Sequence, residues 1–210
     1  MMNLLLAGNF EYTKEQLNIL KNAGYKVFLM QDERGRLPLE ASEIDVVVCN
    51  WLFTHYNIKE FENLKYIQLL SAGMERIPVD YIKDKGIGLS NARGVYSIPM
   101  AEYAVCGVLQ LLKQSRFFIK NQQEKKWEKN RKLEELSNKT VAIIGMGSVG
   151  IEVANRFKVF AREVIGFDIN CEIKSEYSIY DIEEFDNKLS DFDILIFTVP
   201  ISANTRHFLN

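Results

Sequence analysis

Cysteine is scarce in this chain of 210 residues. The three present, Cys49, Cys106 and Cys171, are odd in number, far apart and without any C-x-x-C pair. That argues against a disulfide framework or a thiolate metal site, so we expect buried thiols in a reducing cytoplasm and no bound metal. Long apolar runs are missing as well. None approaches the roughly 20 residues of a membrane-spanning helix, and the opening "MMNLLLAGNF" lacks the basic flank and long apolar core of a leader. Nor does one sign of charge prevail. With 26 Lys and Arg against 28 Asp and Glu, the formal charge is −2, which gives nucleic acid or an anionic membrane no general attraction. Internal repeats and low-complexity stretches are also absent. What remains, 47% hydrophobic and 26% charged, is ordinary for a packed globular protein of one large or two small domains.

Short apolar runs alternate with helical stretches. "NLLLAG" reads as a strand and "TKEQLNILKNAG" as a helix with Leu17, Leu20 and Ala23 on one face. "KVFLM", "EIDVVVCN", "LKYIQLLSAG" and "IGLSN" read as further strands, and "PVDYIKDKG" as a helix with Pro78 in its first turn. Runs this rich in Val, Ile and Leu imply strands buried on both faces, hence a parallel sheet with helical crossovers. The pattern changes near "NARGVYSIPM". An apolar helix is expected from Pro99 through "AEYAVCGVLQLLKQS", then a polar, solvated one through "FFIKNQQEKKWEKN". The boundary between two α/β domains falls around Ala92–Pro99, and we place it at 97/98.

The stretch "VAIIGMGSVGIEVANRF" carries the chemistry. Val141–Ile144 should form a strand that ends at Gly145, and Gly145, Gly147 and Gly150 make G-x-G-x-x-G. Gly145 permits the tight turn, Gly147 lets the backbone approach a pyrophosphate, and Gly150 lets the following helix pack on the sheet. That helix, from about Ser148, aims free N–H groups and the positive end of its dipole at the phosphates. A second strand, "EVIGFD", ends in Asp168. Its carboxylate can accept both ribose hydroxyls of an adenosine and would repel a 2′-phosphate, which favours NAD over NADP. After a strand at Ile194–Thr198, the loop through Val199–Pro200 should face the same crevice. Asn204 and Thr205 there either donate hydrogen bonds to the ligand or cap the next turn.

Taken together, "LLSAGMERIPVDYIKDKGIGLSNARGVYSIPMAEYAV", Trp127, the glycine-rich block and "DILIFTVPISANTRHFLN" resemble the D-isomer-specific 2-hydroxyacid dehydrogenase family from about Leu69 onward. The resemblance implies two Rossmann-like or flavodoxin-like parallel-sheet domains: a substrate-binding one at 1–97 and an NAD-binding one at 98–210, the latter incomplete. It implies that Ala72 and Gly73 hold the substrate carboxylate through backbone N–H groups. Ser148 and Val149 would lie over the pyrophosphate, Asp168 on the ribose, and Val199, Pro200 and Asn204 beside the adenosine half. Trp51, Leu52 and Phe53 fall where the family often sorts substrates, or are packing residues. The helix from Pro99 to about Leu112 is apolar over most of its circumference, at Ala101, Ala104, Val105, Val108, Leu109, Leu111 and Leu112, more than one domain face requires. We therefore expect a cytoplasmic homodimer paired through it. The resemblance agrees, and implies a 2-hydroxy or 2-keto acid as substrate.

The family's catalytic Arg, Glu and His all lie beyond the "VPxxxxT" loop, so they are expected past Asn210. His55 and His207 do not occupy the catalytic position. We therefore expect a truncated and inactive piece of an NAD-dependent oxidoreductase. The alternatives are a non-catalytic NAD-binding protein that has lost the catalytic half, or an adenosylhomocysteinase-like or alanine-dehydrogenase-like enzyme. The "SAG" loop joined to "MAEY" disfavours the last.

Overall fold

The computed structural model describes residues 1–173, 175–202 and 205–208; Asn204, expected at the cofactor, lies outside the described residues. The chain divides into two compact units, Met1–Arg93 and Gly94–Asn210.

In the first unit the strands are β1 (Met2–Ala7), β2 (Tyr25–Met30), β3 (Val46–Cys49), β4 (Tyr66–Leu69) and β5 (Gly88–Ser90). They pair in parallel in the order β2-β1-β3-β4-β5, the flavodoxin-like arrangement. One row of apolar side chains, Phe28, Leu5, Val47, Ile67 and Leu89, crosses all five strands in register. Helix α1 (Lys14–Asn22) starts at a reciprocal cap: the Gln16 N–H donates to Thr13 Oγ1, and the Thr13 N–H donates to Gln16 Oε1. Its Leu17 and Leu20 cover the opposite face of the sheet at Leu4, Leu6 and Val46. Helices α2 (Leu52–His55) and α3 (Val79–Asp84) are short, and Pro78 caps α3 rather than standing inside it.

The second unit begins with α4 (Ser97–Leu112) and α5 (Ser115–Gln123). Its sheet, β8-β7-β6-β9, is also parallel and comprises β6 (Thr140–Ile144), β7 (Glu163–Asp168), β8 (Ile179–Asp181) and β9 (Ile194–Phe197). That order is the 3-2-1-4 core of a dinucleotide-binding sheet. Helix α6 (Ser148–Phe157) and α4 cover one face, burying Ala101, Val153, Ala154 and Phe157. Phe185 of α7 (Phe185–Lys188) covers the other, edge-on to Phe167 at 5.3 Å between ring centroids.

Several expectations are corrected. The polar helix stops at Gln123, and residues 124–135 are not helical. From Glu124 to Lys132 Trp127 is the sole apolar residue, so no face could bury, and Lys125 turns left-handed at φ 54°. Helix α4 starts at Ser97, with Pro99 in its first turn, where its missing N–H costs nothing. Only Cys49 is buried, while Cys106 and Cys171 are exposed. Cys106 lies on α4 away from the unit's core, and Cys171 lies in the turn after β7. His207 stands in a left-handed turn at φ 63°. Strand β9 is half-buried at all four positions, not sealed on both faces.

Although their sequences do not repeat, both units lock the first strand to its neighbour in the same way. Asp45, just before β3, donates its N–H to the Asn3 carbonyl (3.0 Å) and accepts the Asn3 N–H on Oδ2 (2.8 Å). Asp193, just before β9, does the same with Thr140, at 3.0 and 2.8 Å. Each carboxylate also meets a lysine: Lys65 Nζ at 2.7 Å and Lys139 Nζ at 3.5 Å. Both carboxyl pKa values are therefore lowered, Asp45 chiefly by the Lys65 hydrogen bond and Asp193 chiefly by the Thr140 N–H. A carboxyl lowered on folding contributes fully above its unfolded value, about 4, and loses that contribution as pH falls through the folded value. Asp45→Ala should thus destabilise the first unit at pH 7 by about 1.5–3 kcal/mol, the range for a charge-assisted hydrogen bond. The gap from the parent should shrink as pH drops below about 4. Urea unfolding followed by Trp51 fluorescence, in a Trp127→Phe background, measures it; an equal gap at pH 3 and 7 would assign the effect to shape rather than charge.

Candidate functional site

Each glycine of the turn after β6 has a separable reason. Gly145 has φ +98°, which L side chains avoid, and a Cβ there would sit 2.9 Å from Val199 Cγ1. A Cβ on Gly150 would overlap the Gly145 carbonyl oxygen. Gly147, which caps α6, is different. Its φ of −73° and ψ of −164° suit any residue, and an added Cβ would meet nothing within 4 Å. Among the described residues no contact requires a glycine at 147; glycine suits a helix N-cap, and the open space around it leaves an approach for a ligand. Among the described residues the N–H groups of Gly147, Ser148 and Val149 take no acceptor, as first-turn amides without a side-chain cap must. The Val149 side chain packs on the core while its amide points along the helix axis direction common to first turns.

Asp168 ends β7 beside this turn. Its Oδ2 accepts the Met146 N–H at 2.6 Å and its Oδ1 the Asn170 N–H at 3.0 Å, so the carboxylate is fixed while lone pairs remain on both oxygens. Met146 is buried, and its thioether fills the space left by Gly166. From β9, the Thr198 N–H donates to the Ile144 carbonyl at 2.8 Å, and its hydroxyl donates to the Gly145 carbonyl. Val199 follows against Gly145, and Pro200 is exposed. These residues stand at the carboxyl ends of β6 and β9, where the strand order reverses and ligands of such sheets bind. The Thr205 hydroxyl donates to the Pro200 carbonyl (2.6 Å) and accepts the Ser202 N–H (2.8 Å), which ties it into its own loop. Sequence reasoning missed Thr198 and Met146, because only the folded register shows what they touch.

In the first unit, Ser71–Gly73 follows β4. The Ser71 carbonyl accepts the Ala92 N–H, and Asn91 Nδ2 donates to the Ala72 carbonyl at 2.8 Å. Among the described residues the N–H groups of Ala72 and Gly73 take no acceptor. Helix α3 begins only at Val79, so these amides are not its first turn. Trp51 is half-exposed, Leu52 is fully buried, and Phe53 packs edge-on against Phe61 at 5.3 Å. Leu52 is thus a core residue. His55 closes α2. Among the described residues no group of three His, Cys, Asp or Glu could hold a metal ion, and no helix is long and apolar enough to cross a membrane.

Comparison with known proteins bears on this geometry. Residues 105–210 match the family model "D-isomer specific 2-hydroxyacid dehydrogenase, NAD binding domain". A hydroxypyruvate reductase of Thermotoga maritima is 31% identical over 182 residues, which cover 85% of this chain and 58% of that protein. A D-lactate dehydrogenase of Lactiplantibacillus pentosus is 31% identical over 153 residues, 71% of this chain and 45% of that one. The chain therefore spans about half the length of these relatives. In fold it matches the crystal structure of a glyoxylate reductase from Paecilomyes thermophila with TM-score 0.80 at 22% identity, covering 99% of this chain and 68% of that one.

The glycines now make a paired prediction. Gly150→Ala should severely destabilise the second unit, because its Cβ overlaps backbone. Gly147→Ala, which replaces a favoured N-cap residue by a poor one, should cost only about 0.5–1 kcal/mol of stability, far less than Gly150→Ala, yet weaken NADH binding at least tenfold. Melting and nucleotide-fluorescence titration on both variants check this. Parent-like NADH affinity in Gly147→Ala would mean that the turn is not a phosphate cradle.

Proposed function

Because this chain belongs to the D-isomer-specific 2-hydroxyacid dehydrogenase family, we propose that it serves an NAD-dependent oxidoreductase acting on a D-2-hydroxy acid and its 2-keto acid. The observation that carries this reading is Gly147, with open space at its Cα and unbonded amides at the start of α6, next to a carboxylate fixed at the end of β7. NAD, when bound, supplies or accepts the hydride at the carbon bearing the hydroxyl. The N–H groups of Gly147, Ser148 and Val149 would hold its pyrophosphate, and Asp168 its ribose hydroxyls, with Val199 and Pro200 beside the adenosine half. Gly145 and Gly150 shape that turn, and Thr205 shapes the loop after Pro200.

On the substrate side, the amides of Ala72 and Gly73 would hold the carboxylate. They can bind an anion but cannot protonate the alkoxide that forms on reduction, which needs an acid of near-neutral pKa. The family resemblance gives that role, and the cation over the carbonyl, to residues past Asn210. The division of labour follows: a substrate-binding first unit and an NAD-binding second unit.

Pairing is proposed on α4, α5 and the segment after them. Ala101, Ala104, Val105, Val108, Leu109 and Leu112 of α4 are spent on the unit's own core. Met100, Tyr103, Leu111, Phe118, Ile119 and Trp127 stay exposed, Trp127 at 98%, and make an apolar surface suited to a second copy. A soluble, cytoplasmic homodimer fits that surface.

Two measurements test these readings. NADH should bind at least tenfold tighter than NADPH, and Asp168→Ala should narrow that gap by removing both a ribose acceptor and the charge that repels a 2′-phosphate. Equal or tighter NADPH binding by the parent would overturn the cofactor assignment. Light scattering at micromolar concentration should give twice the monomer mass, and Tyr103→Glu should shift it toward monomer; a monomeric parent would overturn the dimer.

A further inference from the structure

A cation in the first unit is held in place by a network that the cofactor site does not use. Glu33, in the loop after β2, is buried, and it spends both carboxylate oxygens on backbone: Oε1 accepts the Asn50 N–H (2.7 Å) and Oε2 the Trp51 N–H (2.6 Å). This fixes the two residues that follow β3. Asn50 Oδ1 in turn accepts from Arg76 Nη1 at 3.0 Å, and the Arg76 guanidinium carbon lies over the Trp51 ring, 3.5 Å from its centroid. Stacking and a hydrogen bond together orient the guanidinium plane. Among the described residues Nη2 has no hydrogen-bond partner. The Arg76 side chain is about one-third exposed. A surface arginine with no ligand to meet does not need a buried carboxylate and an indole to aim it.

The network adjoins the substrate-side loop. Cys49 and Leu69 pair across β3 and β4, so Asn50–Trp51 and Ser71–Gly73 leave neighbouring strands at the same edge. The Glu75 carboxylate links the two. One of its oxygens occupies the space a Gly73 Cβ would need, and Oε1 lies 3.4 Å from Arg76 Nε. Arg76 therefore stands about one carboxylate group away from Gly73, and the protein's own carboxylate fills the interval. That ion pair is between adjacent side chains, half-exposed on the Glu75 side and longer than a good hydrogen bond, so a ligand anion can displace it at little cost.

We infer that Arg76 binds a second anionic group on the substrate, so that the site selects 2-hydroxy and 2-keto acids bearing a further carboxylate or phosphate. This rests on the reading that Ala72 and Gly73 hold the first carboxylate. Glu75 then acts as a placeholder that swings away when the distal anion arrives, and Glu33 and Asn50 are positioning residues. Trp51 belongs to the site as the platform beneath the guanidinium.

The test uses the full 210-residue chain saturated with NAD and reads binding, not turnover. Dissociation constants are measured by calorimetry for D-lactate, D-malate and D-3-phosphoglycerate, with the Trp51 indole resonance as a local report. The parent should bind D-malate or D-3-phosphoglycerate at least tenfold tighter than D-lactate, and whichever is preferred identifies the distal group as carboxylate or phosphate. Arg76→Gln should erase the preference to within about twofold while leaving D-lactate affinity unchanged, and Arg76→Lys should keep part of it. Glu75→Gln, which leaves Arg76 in place, should tighten the dianion severalfold and so serves if Arg76→Gln misfolds. Equal affinity for the three acids in the parent would overturn the proposal while leaving the Ala72–Gly73 reading intact. So would an Arg76→Gln loss as large for D-lactate as for D-malate. If no acid binds although NADH does, the Ala72–Gly73 reading itself falls, and this one with it.

Discussion

The second unit is organised around one close approach. Helix α6 leaves the turn so near to β6 that the Gly145 carbonyl takes the volume of an absent side chain at Gly150. A carbonyl pressed there cannot reach water freely and needs a donor, which the Thr198 hydroxyl supplies from β9. The same contact brings Val199 against Gly145 and fixes the end of β9 beside the turn. On the other flank Met146 is driven inward over Gly166, which turns its N–H onto Asp168. The three strand ends that a dinucleotide would meet are thus set by close approaches at Gly145, Gly150 and Gly166, and the aperture at Gly147 is what the packing leaves open.

The first unit reaches the same architecture by another route. It shares the Asp lock at the amino ends of its strands, where Asp45 and Asp193 play equivalent parts. The turn after β4 has no helix starting directly on it, since five residues separate Gly73 from α3. An anion at the amides of Ala72 and Gly73 would therefore be held without the dipole of a long helix behind it. The full charge nearby belongs to Arg76, which Asn50 and Trp51 orient and which serves a separate anionic group. The contrast is physical: partial charges of ordered peptides in one unit, a full charge on an oriented side chain in the other.

Much of this was legible in the sequence. Runs such as "DVVVC" and "TVAII" are buried strands because every position must be apolar when both faces are covered, and the glycine spacing with Asp168 placed the turn and its acid. What was not legible depended on distance along the chain. Strand β8 is three half-buried residues, too short for any period to declare itself. The end of α5 was lost because "EKKWEKN" suits an exposed helix by composition, and only the lack of a surface to bury decides against it. Exposure of Cys106 turns on which side of α4 faces α6. The Glu33–Asn50–Arg76 relay joins residues 17 and 26 positions apart through a sheet register, and no local motif announces it.

The sign and placement of Glu33 explain why the relay leaves Arg76 available. A buried carboxylate normally seeks a cation, and had Glu33 paired with Arg76 directly the guanidinium would be neutralised and withdrawn from solvent. Instead its charge is taken up by two backbone amides, at 2.7 and 2.6 Å, which satisfy it without consuming any side-chain cation. Among the described residues the neutral carbonyl of Asn50 is the group to which Arg76 donates a hydrogen bond. The arginine is oriented by a dipole and a ring face, neither of which cancels its charge. Its remaining anionic neighbour, Glu75, is half-exposed and adjacent in sequence, free to turn toward water. An arrangement that fixes a guanidinium's direction while sparing its charge is what recognition of an external anion requires, and it is costly to maintain for packing alone.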